Sequence, residues 1–253
     1  MPVRALSALS IMALCLGAPR PVAAQQSDAW EFSLVPLYFW AMELDGHLTA
    51  GPATVPIFLE FADAADNLGG AFSFHFEASK GRWGVLTDLN FIQLSSSAPF
   101  TVGGLTIERG FELDNIMFEL GGSYLVNPNA GLGVVGGLRT YTLSPKIGFG
   151  TDSAGVTPID TSETSANAFV GVVLRPRISE KWTFIGRADV GAGGADFTWS
   201  ALAGIEYRFK SWGGLEAGYK ALGIDVTGGD QELREYDVTH YGPIFGLRFH
   251  WGG

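Results

Sequence analysis

Between Asp237 and Trp251 apolar and polar positions alternate with a period of two. The odd positions are Tyr241, Pro243, Phe245, Leu247, Phe249 and Trp251; the even ones are His240, Gly242, Ile244, Gly246, Arg248 and His250. A period of two predicts a β-strand with one greasy aromatic face and one small, basic or polar face. Four other segments carry the pattern clearly. Trp30, Phe32, Leu34, Pro36, Tyr38 and Trp40 share one face of the first. Phe72, Phe74, Phe76 and Ala78 oppose Ser73, His75 and Glu77, and Trp83, Val85, Leu89 and Phe91 oppose Arg82, Asp88 and Asn90. Phe197, Trp199, Ala201, Ala203, Ile205, Tyr207 and Phe209 oppose Thr198, Ser200, Glu206 and Arg208. Weaker versions, diluted by glycine, run near 112–126, 131–145, 165–178, 182–193 and 213–224. In the third of these Phe169 and Val173 share a face with Arg175, so its orientation stays open.

Charges opposite the apolar face suit a wet interior. The pattern is that of a transmembrane antiparallel up-and-down β-barrel, apolar outside and polar inside. Ten strands are expected, with eight or twelve as the nearest alternatives. A soluble sandwich, with the apolar faces turned inward, is the inside-out reading. Tight turns at Lys80–Arg82, Asn127–Ala130, Ser179–Lys181 and Lys210–Gly213 alternate with longer links at 43–69, 96–110, 146–163 and 226–236, and a shorter one near Gly193–Asp196. Short periplasmic turns and longer outer loops give an even strand count with both termini in the periplasm. Thr101–Thr106 and the stretch around Gly51-Pro52 read as hairpin tips, and residues 62–68 as a short helical turn.

Composition narrows the class. Charged residues make up only 17% of the chain, low for a soluble protein, and 35 glycines with 13% aromatics suit short alternating strands. Met1–Arg4 is a basic n-region, Ala5–Ala18 is too short to span a bilayer as a helix, and Val22-Ala23-Ala24 offers a cleavage site. Residues 1–24 therefore read as a signal peptide and 25–253 as one barrel domain. Cys15, the only cysteine, lies in the h-region without a lipobox, so the remaining chain has no disulfide or thiolate metal site. Losing Arg4 and Arg20 would move the formal charge from -10 to near -12, which disfavours a nucleic-acid partner.

The chain resembles a family of bacterial outer-membrane β-barrel proteins to which no chemistry is assigned. The resemblance rests on W-x5-P-x-Y-x-W (Trp30 to Trp40), F-x-D-x-x-D-N-L (Phe61 to Leu68), G-R-W-G followed by D-L-x-F (Gly81 to Phe91), and G-P-x-x-G-x-R-F (Gly242 to Phe249). The aromatic last strand is also similar to the C-terminal strand of such proteins, although Gly252 and Gly253 follow Trp251. The resemblance implies a porin-like barrel in the outer membrane of a Gram-negative cell. The expected partners are outer-membrane lipid, lipopolysaccharide and the barrel-assembly machinery. It implies no activity.

The inward parity gathers both signs. Acids are Glu31, Glu77, Asp88, Glu119, Asp189, Glu206 and Glu216; bases are Arg139, Arg175, Arg187, Arg208, Lys220 and Arg248, with Arg82 at a turn. Unpaired buried charge is costly, so these groups are expected to pair across a mostly filled lumen. The expected function is structural or surface-interacting. A narrow channel for ions or small polar solutes, with charge rings setting preference, is the second reading. Phe61, Asp63, Asp66, Asn67 and Leu68 are expected to form a plug over the outer mouth.

A lipid-modifying enzyme or a protease is the third reading. No serine follows His240 in an H-x-S arrangement. An Asp–His site at the outer rim would draw on Asp225, Asp230, Asp237 and His240. His75 and Glu77 are same-face neighbours that could orient each other, whereas His240 and His250 lie about 33 Å apart along a strand. No metal, cofactor or catalytic residue is assigned, and the outer acids Asp45, Glu60, Asp63, Asp66, Asp152, Asp160 and Glu163 lack a calcium-loop spacing.

Overall fold

The computed structural model describes residues 28–50, 53–96, 100–102, 105–107, 111–149, 157–160, 163–227 and 235–253. The expected signal peptide, the two hairpin bends at 51–52 and 103–104, and Asp152 and Asp230 lie outside them.

Ten antiparallel strands close into a barrel. The first position is broken into three pieces, β1 (Glu31–Val35), β2 (Tyr38–Trp40) and β3 (Glu43–Ala50), all laid against the last strand, β16 (Glu235–Gly252). A short β4 (Ala53–Leu59) extends β3 as a hairpin, and the helix α1 (Phe61–Asp66) leads into β5 (Leu68–Lys80). The wall continues through β6 (Trp83–Ser96), past the small outer hairpin β7 (Phe100–Val102) and β8 (Leu105–Ile107), to β9 (Phe111–Asn127) and β10 (Leu132–Phe149). After β11 (Thr157–Asp160), which folds back on β10, come β12 (Glu163–Leu174), β13 (Trp182–Gly193), β14 (Phe197–Lys210) and β15 (Gly213–Thr227). Pairing of β1 with both β5 and β16 closes the ring.

The tight turns fall where the sequence places them. Gly81 and Gly131 take the left-handed conformation at φ 60° and 62° that a side chain would strain. Around the short-turn end the outward aromatics form a belt. Trp30 and Trp251 flank Phe32, with Phe76 alongside, and Trp83 packs on Tyr124, Trp182 on Tyr207, and Trp212 on Phe249. Amphipathic rings favour the lipid–water boundary, so this belt marks one edge of the membrane band. Further out, Phe39, Phe72, Phe118, Leu120, Leu138, Val170, Val190, Leu215 and Phe245 are all exposed, as a lipid-facing surface requires.

One face assignment is corrected. Tyr38 and Trp40 point inward, at 8% and 7% exposure, although they share parity with Trp30 and Phe32. Leu34 faces Phe249 and Tyr38 faces Gly246, so four steps on the first strand match three on β16. The extra residue lies at Pro36-Leu37, where both side chains are exposed, and a one-residue slip exchanges the faces beyond it. The ambiguous segment also resolves: Phe169 is buried, and Val173 and Arg175 share its inward face.

Candidate functional site: the barrel lumen

The inward faces divide into two zones. In the half nearer the short turns, charges pair across the barrel. Arg139, on β10, gives one guanidinium nitrogen to Glu119 on β9 at 2.7 Å and another to Asp189 on β13 at 2.8 Å. Arg187 makes the same two connections at 2.8 Å each. Phe169 lies beside both guanidinium groups, 5.1 and 4.8 Å from its ring centre. Inward Gly121 leaves the space for that ring, since a Cβ there would sit 3.1 Å from Phe169 Cζ. Cations on an aromatic face gain electrostatic attraction while staying dry.

A second group centres on Asp88. Lys220 Nζ lies 3.2 Å from Asp88 Oδ1, the Tyr38 hydroxyl 2.9 Å from the same oxygen, and His75 Nδ1 3.0 Å from Oδ2. Lys220 also stands 4.9 Å from the Trp40 ring centre. Closer to the short turns, Arg248 binds Glu216 at 2.5 Å and Ser33 at 2.9 Å. Arg175 and His75 hold Glu77, and Glu206 takes His250 at 2.6 Å and Arg208 at 3.5 Å. Thus Arg139, Arg175, Arg187, Arg208, Lys220 and Arg248 each meet a carboxylate from Glu77, Asp88, Glu119, Asp189, Glu206 or Glu216. Glu31 is exposed at the short-turn lip, and Arg82 is exposed at its turn.

The other half departs from the expected charged interior. Its inward residues are Met42, Leu44, Leu59, Leu94, Met117, Leu222, Ile224 and Val238, which form one apolar core with Trp40, Tyr141, Tyr236 and Ile244. A small polar cluster is embedded there. Tyr141 and Tyr236 share a 2.8 Å hydrogen bond, and Asn115 reaches Tyr141 at 3.2 Å. His240 is fully buried, 3.4 Å from Tyr141. A cavity of about 300 Å³ occupies the short-turn end. Its walls run from Glu31, Arg82 and Arg175 as far as Asp88, Arg187 and Lys220, and do not include Met42, Leu44, Leu94, Met117, Leu222 or Ile224.

The segment expected to plug the mouth behaves differently. Asp63, Asp66 and Leu68 are exposed, Asn67 bonds back to the Asp63 carbonyl, and Phe61 packs edge-on against Phe39 at 5.6 Å. Only Ala64 of α1 reaches the apolar core. The side chains that fill this zone are carried by strands. Parity also separates the residues of the possible Asp–His site: Asp225 and Asp237 face each other on the outer surface, while His240 points inward. At the outer rim His47 and Thr49 bond Glu235 at 3.2 and 3.1 Å, and these hydrogen bonds hold its carboxyl below the usual carboxylate range. Among the described residues, no three acids or histidines gather as a metal site.

Sequence reasoning missed Tyr38, Trp40, Asn115, Tyr141, Tyr236 and Phe169. Asn115 and Tyr141 share inward parity with Glu119 and Arg139, a signal that was available. Tyr38 and Trp40 had no such signal, because the slip at Pro36-Leu37 is not periodic.

Among solved structures, the outer-membrane protease OmpT of Escherichia coli matches 91% of this chain and 100% of its own, with a TM-score of 0.52 and 8% identity. Ail of Yersinia pestis matches 89% of this chain and 99% of its own, with a TM-score of 0.36 and 10% identity. The neisserial surface protein NspA matches the same shares, with a TM-score of 0.35 and 11% identity. No family model and no curated protein matches the sequence. The likeness to OmpT is one of fold. The protein is a transmembrane β-barrel of ten antiparallel strands. Its place is the outer membrane of a Gram-negative bacterium, where its outward face meets lipid.

Proposed function

We propose that this barrel is axially closed and non-catalytic, and that it acts as a structural or surface-interacting component of the outer membrane. The packing of the lumen supports this reading. Paired charges surround a cavity in one half, and that cavity stops short of Met42, Leu44, Leu94, Met117, Leu222 and Ile224 in the apolar core that fills the other. Water-filled channels need a continuous polar lining, and a dry apolar segment opposes ion passage. Outward contact with lipid and lipopolysaccharide, and delivery by the barrel-assembly machinery, belong to the same proposal.

The protease named by the likeness to OmpT is the competing reading. Asp225 and Asp237 lie across the wall from His240, and a proton-transfer site requires its groups within hydrogen-bond reach of one substrate. Liposome swelling tests the first reading. Vesicles carrying the protein should exclude arabinose as well as empty vesicles do, and swelling at a porin-like rate would overturn the proposal.

A further inference from the structure

Exposed charge is divided between the two ends of the barrel. Every exposed lysine or arginine among the described residues lies on the short-turn rim: Lys80, Arg82, Arg177, Lys181 and Lys210. The opposite rim exposes Asp45, Glu60, Asp63, Asp66, Asp196 and Asp237, with no exposed lysine or arginine among the described residues. Arg175 and Arg208, also at the short-turn end, turn inward to Glu77 and Glu206. The five exposed bases make no such pairs among the described residues. Arg82 lines the mouth of the cavity, whereas Lys80, Arg177, Lys181 and Lys210 stand outside it.

The lysines stand beside the aromatic belt. Lys80 is the ladder partner of Trp83 across its turn, Lys181 precedes Trp182, and Lys210 lies two residues before Trp212. Trp83, Trp182 and Trp212 are 67%, 41% and 51% exposed. Hydrogen bonds fix the turns that carry them. The Ile178 N–H donates to the Trp182 carbonyl at 2.8 Å. The Arg208 N–H donates to the Lys181 carbonyl at 2.7 Å, which sets Lys181 beside the end of β14 that carries Lys210. Among the described residues Glu180 is the only acid on these two turns, and Asp28 and Glu31 lie at the seam of β1. Tryptophans of such a belt sit at headgroup level, and a lysine stem spans from apolar surface to the charged layer.

We propose that the short-turn rim, through Lys80, Lys181 and Lys210, binds the headgroups of anionic phospholipids. This rests on the lipid contact of the proposed function and adds the class of headgroup to it. The wall beside the lysines determines the partner. Trp182, Tyr207 and Leu215 are aligned across three strands, with Phe184 and Ile205 next along the outward face. A molecule that meets the lysines at this boundary therefore continues into hydrocarbon. Its phosphate offsets their charge while its acyl chains follow the apolar wall. A zwitterionic headgroup brings its own cation and offsets less. Each basic residue near an anionic surface gains roughly fivefold in binding at low salt. The sequence predicts that this rim is periplasmic, the side on which the leaflet is phospholipid.

The probes are phosphatidylglycerol and phosphatidylcholine with brominated acyl chains, which quench tryptophan fluorescence on contact. The full chain, refolded into vesicles of mixed composition, gives the relative binding constant of the two lipids at the belt. Phosphatidylglycerol should be preferred about threefold at low salt. The preference should disappear in molar KCl, where screening acts beyond about 3 Å. Lys80→Gln with Lys181→Gln and Lys210→Gln should abolish it, whereas Lys80→Arg with Lys181→Arg and Lys210→Arg should keep it. Heat-modifiable migration on gels confirms that each variant is folded. Equal binding of the two lipids to the parent at low salt would overturn the headgroup site and leave lipid contact standing. A preference that survives the triple Lys→Gln change would overturn it too. Quenching by neither lipid would overturn lipid contact itself. Equal lipid binding, together with polyglutamate binding that the Lys→Gln variant loses, would assign the rim to an acidic polymer instead.

Discussion

Lys220 on β15 reaches across the lumen to Asp88 on β6, 3.2 Å away, and each is 8% exposed or less. The two sides of this pair are supported unequally. Asp88 keeps His75, Tyr38 and Asn90 as donors if the lysine is lost, whereas Lys220 without Asp88 keeps, among the described residues, the Tyr38 hydroxyl as its one hydrogen-bond partner, beside nearby rings and the more distant charge of Glu119. Removing one partner of a buried pair costs about 3–5 kcal/mol, because a charge is stranded. Asp88→Ala should therefore cost that much, and Lys220→Met less, about 1.5–3 kcal/mol. Urea unfolding in lipid vesicles measures both, and an equal or reversed order would refute this account of the pair.

The parity of β16 makes a second prediction. With Cys15→Ser as background, single cysteines at 241, 245, 247, 249 and 251 should react with a lipid-soluble maleimide, and those at 240, 244 and 248 should not. Phe245→Arg should cost about 2–4 kcal/mol at the lipid face. Gly246→Arg is not a clean comparison, since a Cβ there would sit 2.6 Å from Val35 Cγ1. Reversed reactivity would mean that the greasy face is the core of a soluble sandwich.

The slip at Pro36-Leu37 is needed to bring Tyr38 to Asp88. Deleting Leu37 should return Tyr38 and Trp40 to the lipid side and strand Lys220 and Asp88 without them. Assembly into a heat-modifiable band should fall sharply, while Leu37→Ala should assemble normally. Equal assembly of both would show that the phase change carries no weight.

Barrel class, strand number, tight turns and inward charges were legible because each strand's alternation is independent of its neighbours. Arg139, Glu119 and Asp189 could be placed inside from parity alone, but not on one another, since pairing depends on strand stagger. The apolar outer half was hidden for a different reason. Leu222, Ile224 and Val238 look like strand residues of either face, and glycines on β9 and β10 blur the phase. The segment 62–68 announced a helix correctly, yet its apolar ends suggested a plug when Phe61 in fact packs against Phe39.

Deleting residues 62–69 should consequently leave axial permeability unchanged, because the layers from Met117 and Leu222 to Asp88 and Lys220 remain. Dye entry into vesicles checks this. A rise in entry with the barrel still folded would return the mouth-plug role to α1.

The most direct test of a closed lumen is conductance in a planar bilayer, with insertion verified separately by protease protection. The parent protein should give no discrete steps above the bare membrane in molar KCl at either polarity. Regular, reproducible open steps from verified single insertions would contradict the closed barrel.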